Sequence, residues 1–205
     1  MRKFRNKYFY SIITVVLLLG VVMVVNDNKT LTNAESSYNK TDNVTDKVTS
    51  TASPKEVVEY HGDLAENFNT VSKLTYGSDA IYEVEVNDSK SFEYEGVIFT
   101  VSNANVNEHY KGASIDTVNI LETGGNYNNT EYVFEDSSVL KIGDKAIVYL
   151  EKYEGPIPEA QGTYVVTGAY QGKFEIDEAN GSLIPAAVDQ EELKEVRALT
   201  DLNLE

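Results

Sequence analysis

The chain has 205 residues, no cysteine, and 33 Asp and Glu against 17 Lys and Arg. Without cysteine there are no disulfides, thiolate metal sites, cysteine nucleophile or lipid-modified cysteine. The first 34 residues hold five basic side chains (Arg2, Lys3, Arg5, Lys7, Lys29) and one acidic, Asp27, so the remainder carries twelve against 32, or −20. Such a surface repels nucleic-acid phosphates and anionic lipid headgroups.

The opening segment, "MRKFRNKYFYSIITVVLLLGVVMVV", sets four basic residues before an apolar run from Ile12 to Val25, interrupted by Thr14 and Gly20. The positive flank belongs in the cytoplasm and everything downstream outside it. Two readings stand. Residues 1–34 are a signal peptide cut near "LTNA", with Thr32 and Ala34 at the small positions. Or they stay as an uncleaved membrane anchor, just long enough to span a bilayer. Either way the protein is anchored facing outward or secreted. The membrane is then engaged through this segment alone. Residues 35–54 are rich in Asn, Thr, Ser, Asp and Lys, show no helix or strand period, and read as a disordered polar tether.

Residues 55–205 read as the folded domain. Asp63 and Glu66 have the spacing of a capping box, and Leu64, Phe68, Val71 and Leu74 recur at helical intervals. With Gly77 as a left-handed cap, they predict a short helix over Leu64–Tyr76. Strand patterns follow at Ala80–Val86, at Val97–Val106 with a bulge after Val101, and at Ser114–Leu121. Further strands are expected at Lys145–Tyr153, the most apolar and so central, and at Gly162–Tyr170 and Lys173–Glu178. The connection Glu122–Gly143 has no helical period and reads as a long irregular loop. Asp189 and Glu192 form another capping-box spacing before Leu193, Val196, Leu199 and Leu202, predicting a C-terminal helix over Gln190–Leu202.

These elements predict a mainly β fold: a small OB-like β-barrel of five to six strands with a short N-terminal and a C-terminal helix. Four segments in this order, "LTYGSDAIYEVEV", "FTVSNANVNEHYKG", "LKIGDKAIVYLEKY" and "YVVTGAYQGKFEID", resemble a group of exported Gram-positive domains. Over about residues 64–178 the pattern is similar to netrin-like and metalloproteinase-inhibitor-like OB barrels. The resemblance implies fold rather than activity. Those inhibitors chelate zinc with an N-terminal cysteine, which this chain lacks, so that mechanism does not carry over. The helix usual between the third and fourth OB strands also has no counterpart in Glu122–Gly143.

Chemical motifs are sparse. His61 and His109 read as exposed turn residues. There is no G-x-S-x-G elbow, phosphate loop, H-E-x-x-H or dinucleotide fingerprint. Asp177, Glu178 and Asn180 in "KFEIDEANGSL" are the only cation-loop candidates. The alternate-ligand register of a calcium loop fails there, and "ANG" fits a hairpin turn instead. Among the fourteen tyrosines, Tyr149, Tyr153, Tyr164 and Tyr170 fall on adjacent expected strands and form a candidate ligand surface for a sugar or peptide strand, or else barrel wall. The expectation is an exported or membrane-anchored extracellular interaction module, without cofactor or nucleic acid, whose partner is a protein or cell-envelope component. The alternatives are an envelope-polymer enzyme using paired carboxylates and a calcium-responsive surface domain.

Overall fold

The computed structural model describes residues 56–64 and 66–204. The predicted export segment and tether lie outside the described residues. Among the described residues, no helix is long and apolar enough to cross a membrane.

The chain runs through β1 (Glu56–Tyr60), α1 (Val71–Gly77), β2 (Ala80–Tyr94), β3 (Val97–Lys111), β4 (Thr117–Thr123), β5 (Gly125–Tyr127) and β6 (Thr130–Phe134). It continues through β7 (Lys145–Lys152), β8 (Tyr164–Val166), β9 (Lys173–Ile176) and β10 (Leu183–Pro185). Five strands close a ring in the order β2–β3–β4–β8–β7 and back to β2. Every neighbour in the ring is antiparallel except β4 and β8, which pair in parallel. The fold is a mainly β, closed five-stranded barrel.

Alternation of side chains decides what fills it. Tyr82, Val84 and Val86 of β2 point inward with Ala146, Val148 and Leu150 of β7, and meet Ala104, Val118, Ile120, Leu140 and Val166. The intervening residues Ile81, Ile147 and Tyr149 point outward into a second core, built with Phe68, Val71, Leu74, Phe174, Leu193, Val196 and Leu202. β7 is therefore buried on both faces, which is why "AIVYL" is unbroken by polar residues. At about 1.5–3 kcal/mol for each fully buried large apolar side chain, this shared wall carries much of the stability.

The strands outrun their sequence patterns. β2 extends to Tyr94 and β3 to Lys111, joined by a tight turn in which Glu95 and Gly96 both have positive φ. Three register shifts between the two strands let the hairpin wrap the barrel, and they lie beyond Val101 in β3, where a bulge is expected.

Both predicted helices are overturned in part, for the same reason. α1 begins only at Val71, where Thr70 caps the Lys73 N–H at 3.2 Å. Upstream, the Phe68 N–H is captured by Gln171 Oε1 at 2.8 Å, and Gln171 also donates to Asn67 Oδ1 at 3.2 Å, so a tertiary contact takes the donor that a helix needs. Gly77 is the last helical residue rather than a left-handed cap: a Cβ there would lie 2.5 Å from the Phe68 ring. The helix end is capped by Lys111, whose ammonium donates to the Thr75 and Ser78 carbonyls at 2.6 Å each.

At the C-terminus, two short 3₁₀ turns, Leu193–Glu195 and Leu199–Leu202, replace the expected helix. The Arg197 carbonyl accepts from the Leu183 N–H of β10 at 2.8 Å, and the Asp201 carboxylate accepts from the Arg197 and Ala198 N–H groups. These bonds hold the Asp201 carboxyl below its ordinary range. The predicted boxes dissolve likewise: Glu192 accepts from the Val71 N–H and Asp189 from the Tyr170 hydroxyl. Leu193, Val196 and Leu202 are buried as expected, whereas Leu199 is exposed.

The connection Glu122–Gly143 is not an irregular loop. It contains the β5–β6 hairpin, turned at Asn128 and Asn129 with φ of 49° and 65°. β1 pairs with β6 in parallel, completing a separate three-stranded sheet. Gly125 lets β5 lie against β2 and β3: a Cβ there would overlap the Thr100 and Ser91 hydroxyls. The expected strand at Gly162–Tyr170 shrinks to Tyr164–Val166. The chain then crosses to β9 through Gly168 and Ala169, both with positive φ. β9 pairs with the first half of β7 and β10 with β9, so this terminal hairpin extends the sheet outside the closed ring.

Candidate functional site

The outer surface of the barrel at the β2–β3 turn carries a row of aromatic side chains. Phe92 and Phe99 are cross-strand partners, with ring centroids 6.2 Å apart and planes 29° apart. Tyr94, two residues on from Phe92, shares its face. Val101 stands two residues from Phe99 and pairs across to Leu121, which in turn pairs with Val165 of β8. Tyr153 completes the group, and its hydroxyl accepts the Ile157 N–H at 2.8 Å.

The β7–β8 connection, residues 153–163, folds against this face. Ile157 and Ala160 are buried on Leu121, while Phe92, Tyr94, Phe99, Val101, Tyr153 and Val165 are only partly buried around them. Gln161 ties the connection to itself by donating to the Gly155 and Ile157 carbonyls at 3.0 Å, and Thr163 donates to the Ala160 carbonyl at 2.8 Å. Burial pushes the Tyr153 hydroxyl up, and the neighbouring Tyr94 adds to this. The opposite face of the same hairpin rests on the small sheet: Thr100 Oγ1 donates to the Gly124 carbonyl at 2.7 Å, and the Tyr60 hydroxyl accepts from the Ile98 N–H at 3.2 Å. A two-sided support thus holds a shallow aromatic platform in place. It offers stacking and van der Waals contact.

The four tyrosines, read as a candidate ligand surface or else as barrel wall, are dispersed over three cores. Tyr149 is fully buried in the outer core, where burial pushes its hydroxyl up to about 12. Tyr170 lies in that core too, pushed to about 12 by burial and by Asp189. Tyr164 packs at the margin of the barrel interior. Only Tyr153 reaches the aromatic platform. Phe92, Tyr94 and Phe99 were missed by the sequence reading, although "FEYEGVIF" signals them: aromatic residues alternate on both sides of a Glu-Gly turn.

Asp177, Glu178 and Asn180 occupy the β9–β10 turn. Asp177 accepts from the Ala179 N–H and the Asn180 amide at 2.9 Å each, and Asn180 Oδ1 accepts from the Ser182 N–H at 2.7 Å. Gly181, at φ 74°, closes the turn, and Glu178 pairs with Lys145 at 3.2 Å. The side-chain oxygens serve the turn itself. Among the described residues, no group of three or more His, Cys, Asp or Glu is arranged to hold a metal ion. His61 is exposed beside Glu135 at 3.3 Å and Glu59 at 3.7 Å, and its hydrogen bond to Glu135 raises its pKa. His109 lies exposed on β3.

One buried ionic contact involves Glu122 of β4, the cross-strand partner of Thr100. Lys173 and Glu122 meet at 2.8 Å, with side chains 2% and 4% exposed. The second Glu122 oxygen accepts the Leu140 N–H at 3.0 Å, and Lys173 also donates to the Ser138 carbonyl. The pair therefore pins the segment after β6 across the barrel end, inserting Leu140 into the core.

Comparison with protein-family models, curated proteins and solved structures finds no match for this chain.

Proposed function

We propose that residues 55–205 form an OB-type binding module on the outer face of a cell membrane, anchored there or released by cleavage of residues 1–34. Its ligand is an extended neutral glycan of the cell envelope, held on the Phe92–Tyr94–Phe99–Tyr153 face. The OB reading draws support from the ring order and its single parallel contact, between the third and fifth strands of the barrel, β4 and β8. In OB barrels, ligands recur on the face of the second and third strands, between the first–second and fourth–fifth connections. Those elements here are β3 and β4, the Glu95–Gly96 turn and residues 153–163.

The observation that carries the reading is that four aromatic rings remain partly exposed at that place. Sugars present apolar ring faces that stack on aromatic side chains. The charge of −20 beyond residue 34 argues against nucleic acid and anionic polymers as occupants. No catalytic step is assigned.

The test is calorimetric titration of the exported chain with soluble, neutral fragments of envelope glycan. Phe92→Ala with Phe99→Ala is expected to weaken binding at least about fivefold with the fold intact, since each lost stacking contact is worth about 0.5–1.5 kcal/mol. Absence of saturable binding by the unaltered chain sinks the proposal.

A further inference from the structure

A second surface, sharing no residue with the aromatic platform, surrounds the β9–β10 hairpin. Two shallow depressions adjoin there and share Asp144 and Glu175 in their linings. Three large apolar side chains border them: Ile142, Ile184 and Val188 are 63%, 53% and 66% exposed. Ile142 lines one depression and Val188 the other. Ile184 is the cross-strand partner of Glu175, so their side chains share a face. Half of the six exposed large apolar residues among those described therefore gather at one place, which is not the scatter expected of incidental exposure.

Ile142 is held outward by its backbone. The Lys141–Asp144 turn is closed by the Asp144 N–H on the Lys141 carbonyl at 2.9 Å and the Lys141 N–H on Asp144 Oδ2 at 2.7 Å. Bonds of 2.9 and 3.0 Å between this turn and Val86 fasten it to β2. The isoleucine's backbone thus needs little further ordering on binding.

The charges here are unbalanced. Lys141 pairs with Glu131 at 3.6 Å and Lys145 with Glu178 at 3.2 Å, so both local lysines are engaged. Asp136, Asp144 and Glu175 have no salt-bridge partner among the described residues. A second copy of this chain, itself strongly acidic, is repelled, as is an anionic lipid surface.

We propose that this surface docks a protein segment that presents Lys or Arg between apolar residues, its cations meeting Asp144 and Glu175 and its apolar side chains covering Ile142, Ile184 and Val188. The proposal stands independently of the glycan reading. The probe is a labelled peptide of alternating Lys and Leu, titrated by fluorescence anisotropy against the full chain in zwitterionic nanodiscs, with empty nanodiscs subtracting lipid binding. Glu175→Gln with Ile184→Ser is expected to weaken binding about tenfold. Glu93→Gln with Glu95→Gln, which removes more charge at the distant hairpin tip, is expected to change it less than about twofold. Equal losses in the two variants, unchanged urea midpoints being checked first, would reduce the effect to net charge and overturn the proposal. So would equally tight binding of an all-lysine peptide, or no saturable binding at all.

Discussion

The two halves of β2 live in different surroundings. From Ala80 to Val86 its inward residues fill the barrel, and Ile81 fills the outer core. From Asp88 to Tyr94 the strand leaves the ring's double cover, and Phe92 and Tyr94 stay half-exposed beside Phe99. The first half is constrained by packing on both sides. The second is backed by the small sheet on one face and only partly covered by residues 153–163 on the other, so large aromatic side chains can remain open for contact. The contrast teaches that one strand supplies both the scaffold and the candidate site, and that the two roles separate by position along it.

The largest expected effect tests the scaffold half. Lys173→Met leaves Glu122 charged and buried, and is expected to cost about 3–5 kcal/mol in urea unfolding. Adding Glu122→Leu is expected to restore most of that loss, because an apolar pair of similar volume needs no ionic partner. A single variant as stable as the parent contradicts the buried geometry. Next, Leu150→Ala in the interior is expected to cost about 2–4 kcal/mol, against about 1 kcal/mol for Val101→Ala on the half-exposed face. Equal costs erase the difference between the two environments.

The smallest effect is a pH dependence. Glu175 is raised by burial and by the carboxylates of Asp144 and Glu122, against the pull of Lys173 and Lys141. Glu151 is raised by burial, Glu66 and Asp79, with Thr167 opposing. A folded value above the unfolded one means that the native state binds the proton more tightly. Stability therefore increases as pH falls from neutrality through the raised values, by less than about 1 kcal/mol for groups still in contact with water. Glu151→Gln with Glu175→Gln is expected to flatten that rise in urea midpoints measured from neutral to mildly acidic pH. A midpoint that falls steadily over the same interval contradicts it. Asp201, lowered, loses its contribution only at more acidic pH.

What could be read from the sequence depended on how far each residue's partner lay along the chain. The alternation in Ala80–Val86 and the apolar run of β7 disclosed the barrel wall, because both depend on local period and burial alone. Helix starts were misread where Gln171 captures Phe68 and where Glu192 turns to Val71, partners more than a hundred residues away. β1 was invisible for the same reason: its ladder, among the described residues, is a parallel one to β6. The tyrosines stayed open between a ligand surface and barrel wall because residue type does not carry its facing. Tyr149 points into the outer core while Tyr153 meets the aromatic platform. Phe92, Tyr94 and Phe99 needed the β2–β3 register, which the Glu95–Gly96 turn fixes.

The central claim is that the hairpin half of β2 and β3 is a glycan-binding face. Its most direct test is backbone-amide NMR of the exported chain during titration with neutral envelope glycan fragments. Saturable shifts are expected at Phe92, Tyr94, Phe99, Tyr153 and residues 157–161, with Ile147 to Leu150 unmoved. Shifts elsewhere with these residues silent, or none at all, would contradict the account.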